Sequence, residues 1–74
     1  MKATTKCAEA MLDLISQKSI GSTLTRTTIM QYLNKTFKLP ISTLHSYTDV
    51  CIAFLITDNY IVRMKRGVFK IIKN

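Results

Sequence analysis

Apolar residues recur at helical spacing near the start of the chain. The segment TTKCAEAMLDLISQK presents one apolar face, formed by Cys7, Ala8, Met11, Leu14 and Ile15. This spacing predicts a first helix from about Thr5 to Lys18, and Thr4 or Thr5 is suited to cap its start. Gly21 then permits the backbone to turn out of the helix.

A short threonine-rich stretch leads to a second segment with helical spacing. In STLT, Leu24 stands among β-tolerant neighbours and predicts a very short strand that needs a pairing partner. Thr25 is placed to cap a second helix, predicted from about Arg26 to Thr36. The apolar face of this helix consists of Ile29, Met30 and Leu33, with Phe37 just past its end.

The break at KLP predicts the start of a third helix. The ring of Pro40 disfavours helical geometry at Leu39, and Ser42 or Thr43 is expected to cap the helix that follows. This helix is expected to end near Asp58, because Asn59 suits the left-handed position after a helix.

The third predicted helix changes character along its length. Its core face comprises Leu44, Tyr47, Val50, Cys51, Phe54 and Leu55. The opposite face of its first two turns is polar and comprises Ser42, His45, Ser46 and Asp49. In the last two turns Ile52, Ala53 and Ile56 fill the remaining positions, so this end is expected to be buried on several sides or used at an interface.

The segment YIVRMKRGVFKI predicts a β-hairpin. Two β-branched and aromatic runs flank KRG, and Gly67 supplies the positive φ angle that a hairpin tip requires. The residues expected to face the core are Ile61, Phe69 and Ile71. The other side of the hairpin is also apolar, which leaves a second face for a partner to cover: Val62, Met64, Val68 and Ile72.

Length and charge narrow the classes of function. A chain of 74 residues allows a single domain, here residues 1–74. Eleven basic residues against four acidic ones give a formal charge of +7, and no acidic residue follows Asn59. Such a field attracts a polyanion, which means nucleic acid, an acidic membrane or an acidic protein surface.

The sequence also indicates that the protein is not inserted in a membrane and that it lies in a reducing compartment. No apolar signal segment follows Lys2, and the longest apolar run, VCIAFLI, is too short to span a bilayer. Cys7 and Cys51 lie far apart in helix-patterned stretches, so we expect buried free thiols in the cytoplasm, with a disulfide between them as the alternative.

The order of predicted elements and the basic hairpin resemble the winged helix-turn-helix family of DNA-binding domains. The stretch YLNKTFKLPISTL is similar to that family's second helix, turn and recognition-helix start, with Leu33, Phe37 and Leu39 at apolar positions and Thr43-Leu44 opening the helix. FLITDNYIVRMKRGVFKI is similar to the end of the recognition helix and the wing. The turn position that the family usually fills with glycine is Lys38 here.

This resemblance implies an α+β fold of three helices and a C-terminal two-stranded hairpin wing. It also implies binding to double-stranded DNA. The candidate DNA-binding residues on the third helix are Ser42, Thr43, His45, Ser46 and Asp49. A helix entering the major groove needs such a polar front, although a solvated helix face is the alternative. Asp49 is suited either to accept from a cytosine amino group or to repel phosphates.

The remaining candidates are basic or hydroxylic residues outside the third helix. The predicted wing supplies Arg63, Lys65, Arg66 and Lys70, and the start of the second helix supplies Arg26, Thr27 and Thr28. Phosphate contact is the expected role, because cations and helix N-terminal amides both hold phosphates, and minor-groove entry is the other role expected of the hairpin tip. The alternatives are charge that protects an edge hairpin from aggregation and an ordinary helix N-terminus.

No enzyme is expected from this sequence. One histidine and four carboxylates offer no nucleophile with an oriented base, and His45 and Asp49 one turn apart suit a surface pair. No cofactor, metal or small-molecule ligand is inferred. We expect a small transcriptional regulator, a repressor of a phage, virus or mobile element, acting as a homodimer.

Three residues are candidates for the dimer contact, namely Ile52, Ile56 and Ile72. The alternative is that they complete the core of the monomer. An inhibitor or module that binds an acidic protein, and an architectural or replication-related DNA binder, are the other functions that fit.

Overall fold

Six elements follow one another in the computed structural model, which describes the backbone of residues 2–73 and the side chains of residues 6–73. They are α1 (Lys2–Ser16), β1 (Thr23–Thr25), α2 (Arg26–Phe37), α3 (Ile41–Thr57), β2 (Ile61–Lys65) and β3 (Val68–Ile71). The order agrees with the one predicted, and the class is α+β.

The two boundaries of α2 show how local residues shape the turn before α3. At its start the Thr25 hydroxyl accepts a hydrogen bond from the Thr28 amide at 3.2 Å, which confirms the predicted cap. At its end Lys38 takes left-handed angles, φ 53° and ψ 53°, and its amide donates to the Asn34 carbonyl at 2.8 Å. The helix includes Phe37, one residue beyond the predicted end.

The caps predicted for the other two helices are wrong. Helix α1 begins at Lys2, so Thr4 and Thr5 lie inside it. Helix α3 has Pro40 at its cap position and no side-chain cap, and the Pro40 carbonyl accepts from the Leu44 amide at 2.8 Å. The fixed φ of proline places the chain in position for a helix at the next residue, so a hydroxyl cap at Ser42 or Thr43 is not needed.

The end of α3 agrees with the prediction, whereas its buried face is rotated. Asp58 follows the helix and Asn59 has a φ of 63°. Thr48 is fully buried and donates its hydroxyl to the Leu44 carbonyl at 2.7 Å, so it belongs to the core. Val50, predicted to be core, is 38% exposed.

The strands form one antiparallel sheet in the order β1-β3-β2. The sheet therefore has three strands instead of the two of the predicted wing, and β3 is the pairing partner that the short strand predicted at Leu24 required. Leu24 lies opposite Phe69 in the register, and Ile61 lies opposite Ile71. As predicted, Ile61, Phe69 and Ile71 are buried.

The core lies between the three helices and the inner face of this sheet. The fully buried side chains include Met11, Leu24, Leu33, Leu55, Ile61 and Phe69, so every helix and every strand contributes to one cluster. The opposite face of the hairpin is solvent-exposed: Val62 is 40% exposed, Met64 60% and Ile72 40%.

The two cysteines are free and buried, as expected from their surroundings. Burial, and then interaction with the Cys7 thiol, raises the pKa of Cys51. Burial and a hydrogen bond with the same thiol raise the pKa of Tyr47 to about 12. Cys51 and Tyr47 therefore stay protonated at neutral pH, and both interact with Cys7 where α3 packs against α1.

Across residues 2–73, none of the individual helices is long and apolar enough to cross a membrane. The α2–α3 pair meets the criteria of length and composition only when both helices are taken together, and it is bent by 118°.

Candidate nucleic-acid interface

The polar face predicted on α3 is exposed to solvent. All five of its candidate residues are exposed: Ser42, Thr43, His45, Ser46 and Asp49. Ser42, Ser46 and Asp49 follow one another at helical spacing on the side opposite the buried Leu44 and Leu55. The core therefore holds the back of α3 and leaves this short-chained front accessible.

Asp49 is paired with the cation at the start of α2. Its Oδ1 atom lies 2.5 Å from Nη1 of Arg26, and the two side chains are 68% and 32% exposed respectively. Two candidate residues that stand 23 positions apart are thereby brought into contact. The carboxylate of Asp49 is therefore engaged in an ion pair with this guanidinium on the exposed face of α3.

The other candidates on α2 differ in availability. Thr27 is exposed. The hydroxyl of Thr28 lies 2.9 Å from that of Thr25, so it belongs to the capping arrangement of the helix. Of the two predicted hydroxyl contacts, only Thr27 presents a side chain that the cap does not already engage.

An irregularity in the hairpin divides its basic residues between two faces. Arg63 lies opposite Phe69 and Lys65 lies opposite Val68, so Met64 is an extra residue on β2. Such a bulge changes which way the following side chain points. Because cross-strand partners share a face, Lys65 lies with Val68 on the outer face, away from the buried Phe69.

Lys70 also lies on the outer face of the sheet. Its register partners are Thr23 on one side and Val62 on the other, so it sits at the centre of that face and not at the hairpin tip. The tip is the two-residue turn Arg66-Gly67, in which Gly67 has the expected positive φ, 73°.

Three arginines converge on one cleft of about 460 Å³ between α2, α3 and the hairpin. This arginine cleft is lined by Arg26, Arg63, Arg66, Asp49, Ile52 and Phe69, together with the backbone at Gly67. The Arg63 guanidinium stacks on the ring of Phe69, with 5.6 Å from its carbon to the ring centroid. The cleft therefore combines three positive charges with a single negative one.

The hairpin tip is fastened to α2 beside this cleft. The Arg26 amide donates to the Gly67 carbonyl at 2.9 Å, continuing the pairing of Thr25 with Val68. The backbone of Arg66 is thus held close to that of Arg26 by backbone hydrogen bonds.

The three candidate dimer residues have different surroundings. Ile52 is 5% exposed, so it belongs to the core of the monomer, which was the alternative to a dimer contact. Ile56 is half-buried against that core. Ile72 is exposed, and it is the residue of the three with apolar surface to offer.

A second cleft of about 380 Å³ lies between α1 and α2 and has a different charge. Lys6, Glu9 and Asp13 line it, and the Asp13 carboxylate accepts a hydrogen bond from the Tyr32 hydroxyl. This hydrogen bond raises the pKa of Tyr32. The acidic groups of the domain are therefore partly concentrated away from the arginine cleft.

The sequence signal for these residues was their type and not their arrangement. The sequence alone indicates four of the lining residues one by one, namely Arg26, Asp49, Arg63 and Arg66, and it gives no sign that Ile52 and Phe69 lie beside them. Within residues 2–73, no cluster of three His, Cys, Asp or Glu residues is placed to hold a metal ion. Comparison of the chain with protein-family models, curated proteins and solved structures gives no match.

Proposed function

We propose that this chain is a winged helix-turn-helix domain that binds double-stranded DNA. The observation that supports it is one exposed surface that joins a short-chained polar helix front to a cleft with three arginines. Helix α3 supplies groups small enough to approach base edges, and the arginines supply the phosphate contacts that dominate affinity.

The composition of α3 points to modest direct recognition of bases. Its exposed front carries no Arg, Gln or Asn, the side chains that make bidentate bonds with guanine and adenine. Most affinity is then expected from phosphate contacts and groove shape. The biological role we propose is that of a small transcriptional regulator, a repressor of a phage, virus or mobile element.

Binding as a homodimer is part of this proposal. A single module of this size buries a modest interface on DNA, and two half-sites multiply affinity. Sedimentation equilibrium with and without a duplex measures the stoichiometry. A complex that contains one chain at saturation would contradict the dimer without affecting the DNA-binding proposal.

The salt dependence of duplex binding tests the proposed function. If about five phosphates are contacted, log Kd changes with log salt with a slope of magnitude about 4 to 5. Fluorescence anisotropy with a labelled duplex at several salt concentrations measures this slope. Absence of binding to any duplex at low salt would refute the proposal.

A selection from random duplexes separates the regulator from an architectural binder. An enriched palindrome supports a sequence-specific dimeric regulator. Enrichment of flexible steps alone, without a defined site, supports the architectural or replication-related alternative.

The exposed apolar face of the hairpin favours a second candidate function. Val62, Met64 and Ile72 are at least 40% exposed, which a wing that only contacts DNA does not require. A module that binds an acidic protein through this face and the adjacent Lys70 would use it. If the protein binds no duplex at low salt but binds an acidic protein, that result would support this function.

A further inference from the structure

We propose that the arginine cleft is a binding site for a phosphate group, and that Asp49 acts there as a resident competitor for that group. The proposal deepens the DNA-binding function where the phosphate belongs to a nucleic acid backbone. A phosphate on a small molecule offers the same chemistry, and the experiments below distinguish these two sources.

The charges in the cleft are unbalanced. Arg26, Arg63 and Arg66 line it, and Asp49 is the single carboxylate among the lining residues. Guanidinium groups held around one cleft repel one another, and an added anion relieves this repulsion. Arginine forks match the oxygens of a phosphate, so phosphate suits the site better than a halide does, and its additional oxygens let it meet more guanidinium groups than a carboxylate can.

Two of the three arginines are partly positioned before any ligand arrives. Arg63 stacks on Phe69, a ring that is 2% exposed and therefore fixed in the core. The backbone of Arg26 is fixed by the hydrogen bond from its amide to the Gly67 carbonyl. A site with oriented donors loses less side-chain entropy when its ligand binds.

Asp49 is placed where it competes with such a ligand. Its carboxylate forms an ion pair with the guanidinium of Arg26, with 2.5 Å between Oδ1 and Nη1, and its side chain is 68% exposed. A pair so exposed is weak and easily exchanged. A phosphate, with more oxygens and at least one full charge, replaces Asp49 as the partner of Arg26, and Asp49 remains nearby as a repulsive charge.

The consequence of this competition is a lower affinity for every phosphate-bearing ligand. For a DNA-binding domain, a uniform reduction weakens binding to all sequences alike. Direct contacts from the front of α3 then form a larger share of the total. Asp49 is therefore a residue that limits nonspecific binding, in contrast to the base-contact role considered from the sequence.

Substitution Asp49→Asn tests the competition, with Glu9→Gln as its matched control. Each variant removes one negative charge, but Glu9 lines the other cleft, between α1 and α2. We expect Asp49→Asn to tighten binding to a fixed duplex about two- to fivefold and to steepen the salt slope by about 1. Glu9→Gln should change both quantities much less.

Two outcomes of this comparison would overturn the role of Asp49. Equal tightening by both variants would mean that net charge alone matters. Weaker binding by Asp49→Asn would mean that the carboxylate helps Arg26 to meet its ligand. Circular dichroism of both variants shows that the folded state is retained, which is expected because both residues are exposed.

A titration with inorganic pyrophosphate tests the site without DNA. In the wild type, the NMR signals of the side-chain Nε–H groups of Arg26, Arg63 and Arg66 should shift together, with a common Kd. In Asp49→Asn that Kd should fall several-fold. Shifts that favour other basic residues, or equal Kd values in the two proteins, would refute the site.

The combination of the two experiments separates this proposal from the proposed function. Duplex binding by the wild type that is unaffected by Asp49→Asn, with no pyrophosphate site, rejects the cleft and leaves DNA binding standing. Pyrophosphate binding in the cleft without duplex binding rejects DNA as the ligand and supports a phosphate on a small molecule.

Discussion

The turn between α2 and α3 contains a lysine in the left-handed backbone conformation. Lys38 adopts φ 53° and ψ 53°, a left-handed conformation that costs a residue with a side chain about 1 kcal/mol relative to glycine. The resemblance to winged helix-turn-helix domains assigned a glycine to this position. The backbone thus takes the conformation that a glycine favours, although the residue is a lysine.

Replacing Lys38 by glycine should therefore stabilise the protein. We expect Lys38→Gly to raise the free energy of unfolding by about 0.5–1 kcal/mol, measured by urea denaturation. Lys35→Gly is the matched control, because Lys35 lies in the last turn of α2 and should lose about 1 kcal/mol. A loss of stability in both variants would contradict the strain assigned to Lys38.

Individual residues also mark the limit of sequence reasoning on α3. Its apolar pattern predicted Val50 in the core, whereas Thr48 occupies a core position. A buried threonine is acceptable there because its hydroxyl bonds to the Leu44 carbonyl of the preceding turn. An apolar pattern cannot reveal a polar residue that satisfies its hydroxyl within its own helix.

At the level of elements, the hairpin has two chemically different faces. The extra residue at Met64 separates Arg63 and Arg66, which line the arginine cleft, from Lys65 on the outer face. The sequence predicted the hairpin and its tip from Gly67. It did not predict the bulge, because the alternation of β2 and β3 is apolar on both sides and leaves the register undetermined.

The bulge leads to different expectations for two neighbouring basic residues. Arg66→Ala should weaken binding to a fixed duplex several-fold and reduce the magnitude of the salt slope by about 1, because a phosphate contact is lost. Lys65→Ala should change the slope little, since Lys65 faces away from the cleft. The measurement is fluorescence anisotropy over a range of salt concentrations.

A result that contradicts this division is easily recognised. Equal effects of Lys65→Ala and Arg66→Ala would mean that the tip acts as a diffuse positive charge. Lys70→Ala, on the same outer face as Lys65, provides a third variant that should resemble Lys65→Ala.

At the scale of the whole molecule, the fold assembles the arginine cleft from separate segments of the chain. The order of helices and strands followed from periodicity, the cap at Thr25, the break at Pro40 and one glycine. The pairing of Arg26 with Asp49 did not, because no local rule relates two exposed residues 23 positions apart. Their contact depends on how α2 packs against α3, which is a property of the assembled core.

The hydrogen bonds that fasten the hairpin to the rest of the domain have a consequence for its internal motions. The Arg26 amide bonds to Gly67, and the Ile71 amide bonds to the Ser22 carbonyl at 2.9 Å. When these bonds open, the hairpin carries Arg63 and Arg66 away from Arg26. A polyanion held by all three guanidinium groups opposes that opening.

Hydrogen–deuterium exchange makes this coupling visible at atoms that do not touch the ligand. With a duplex at 100 times its Kd, the amide hydrogens of Arg26 and Ile71 should exchange up to about 100-fold more slowly. The Lys18 amide, which closes the turn after α1 by bonding to the Ile15 carbonyl, should be much less affected. Ligand binding in the cleft would thus be detected as slower local opening of the sheet.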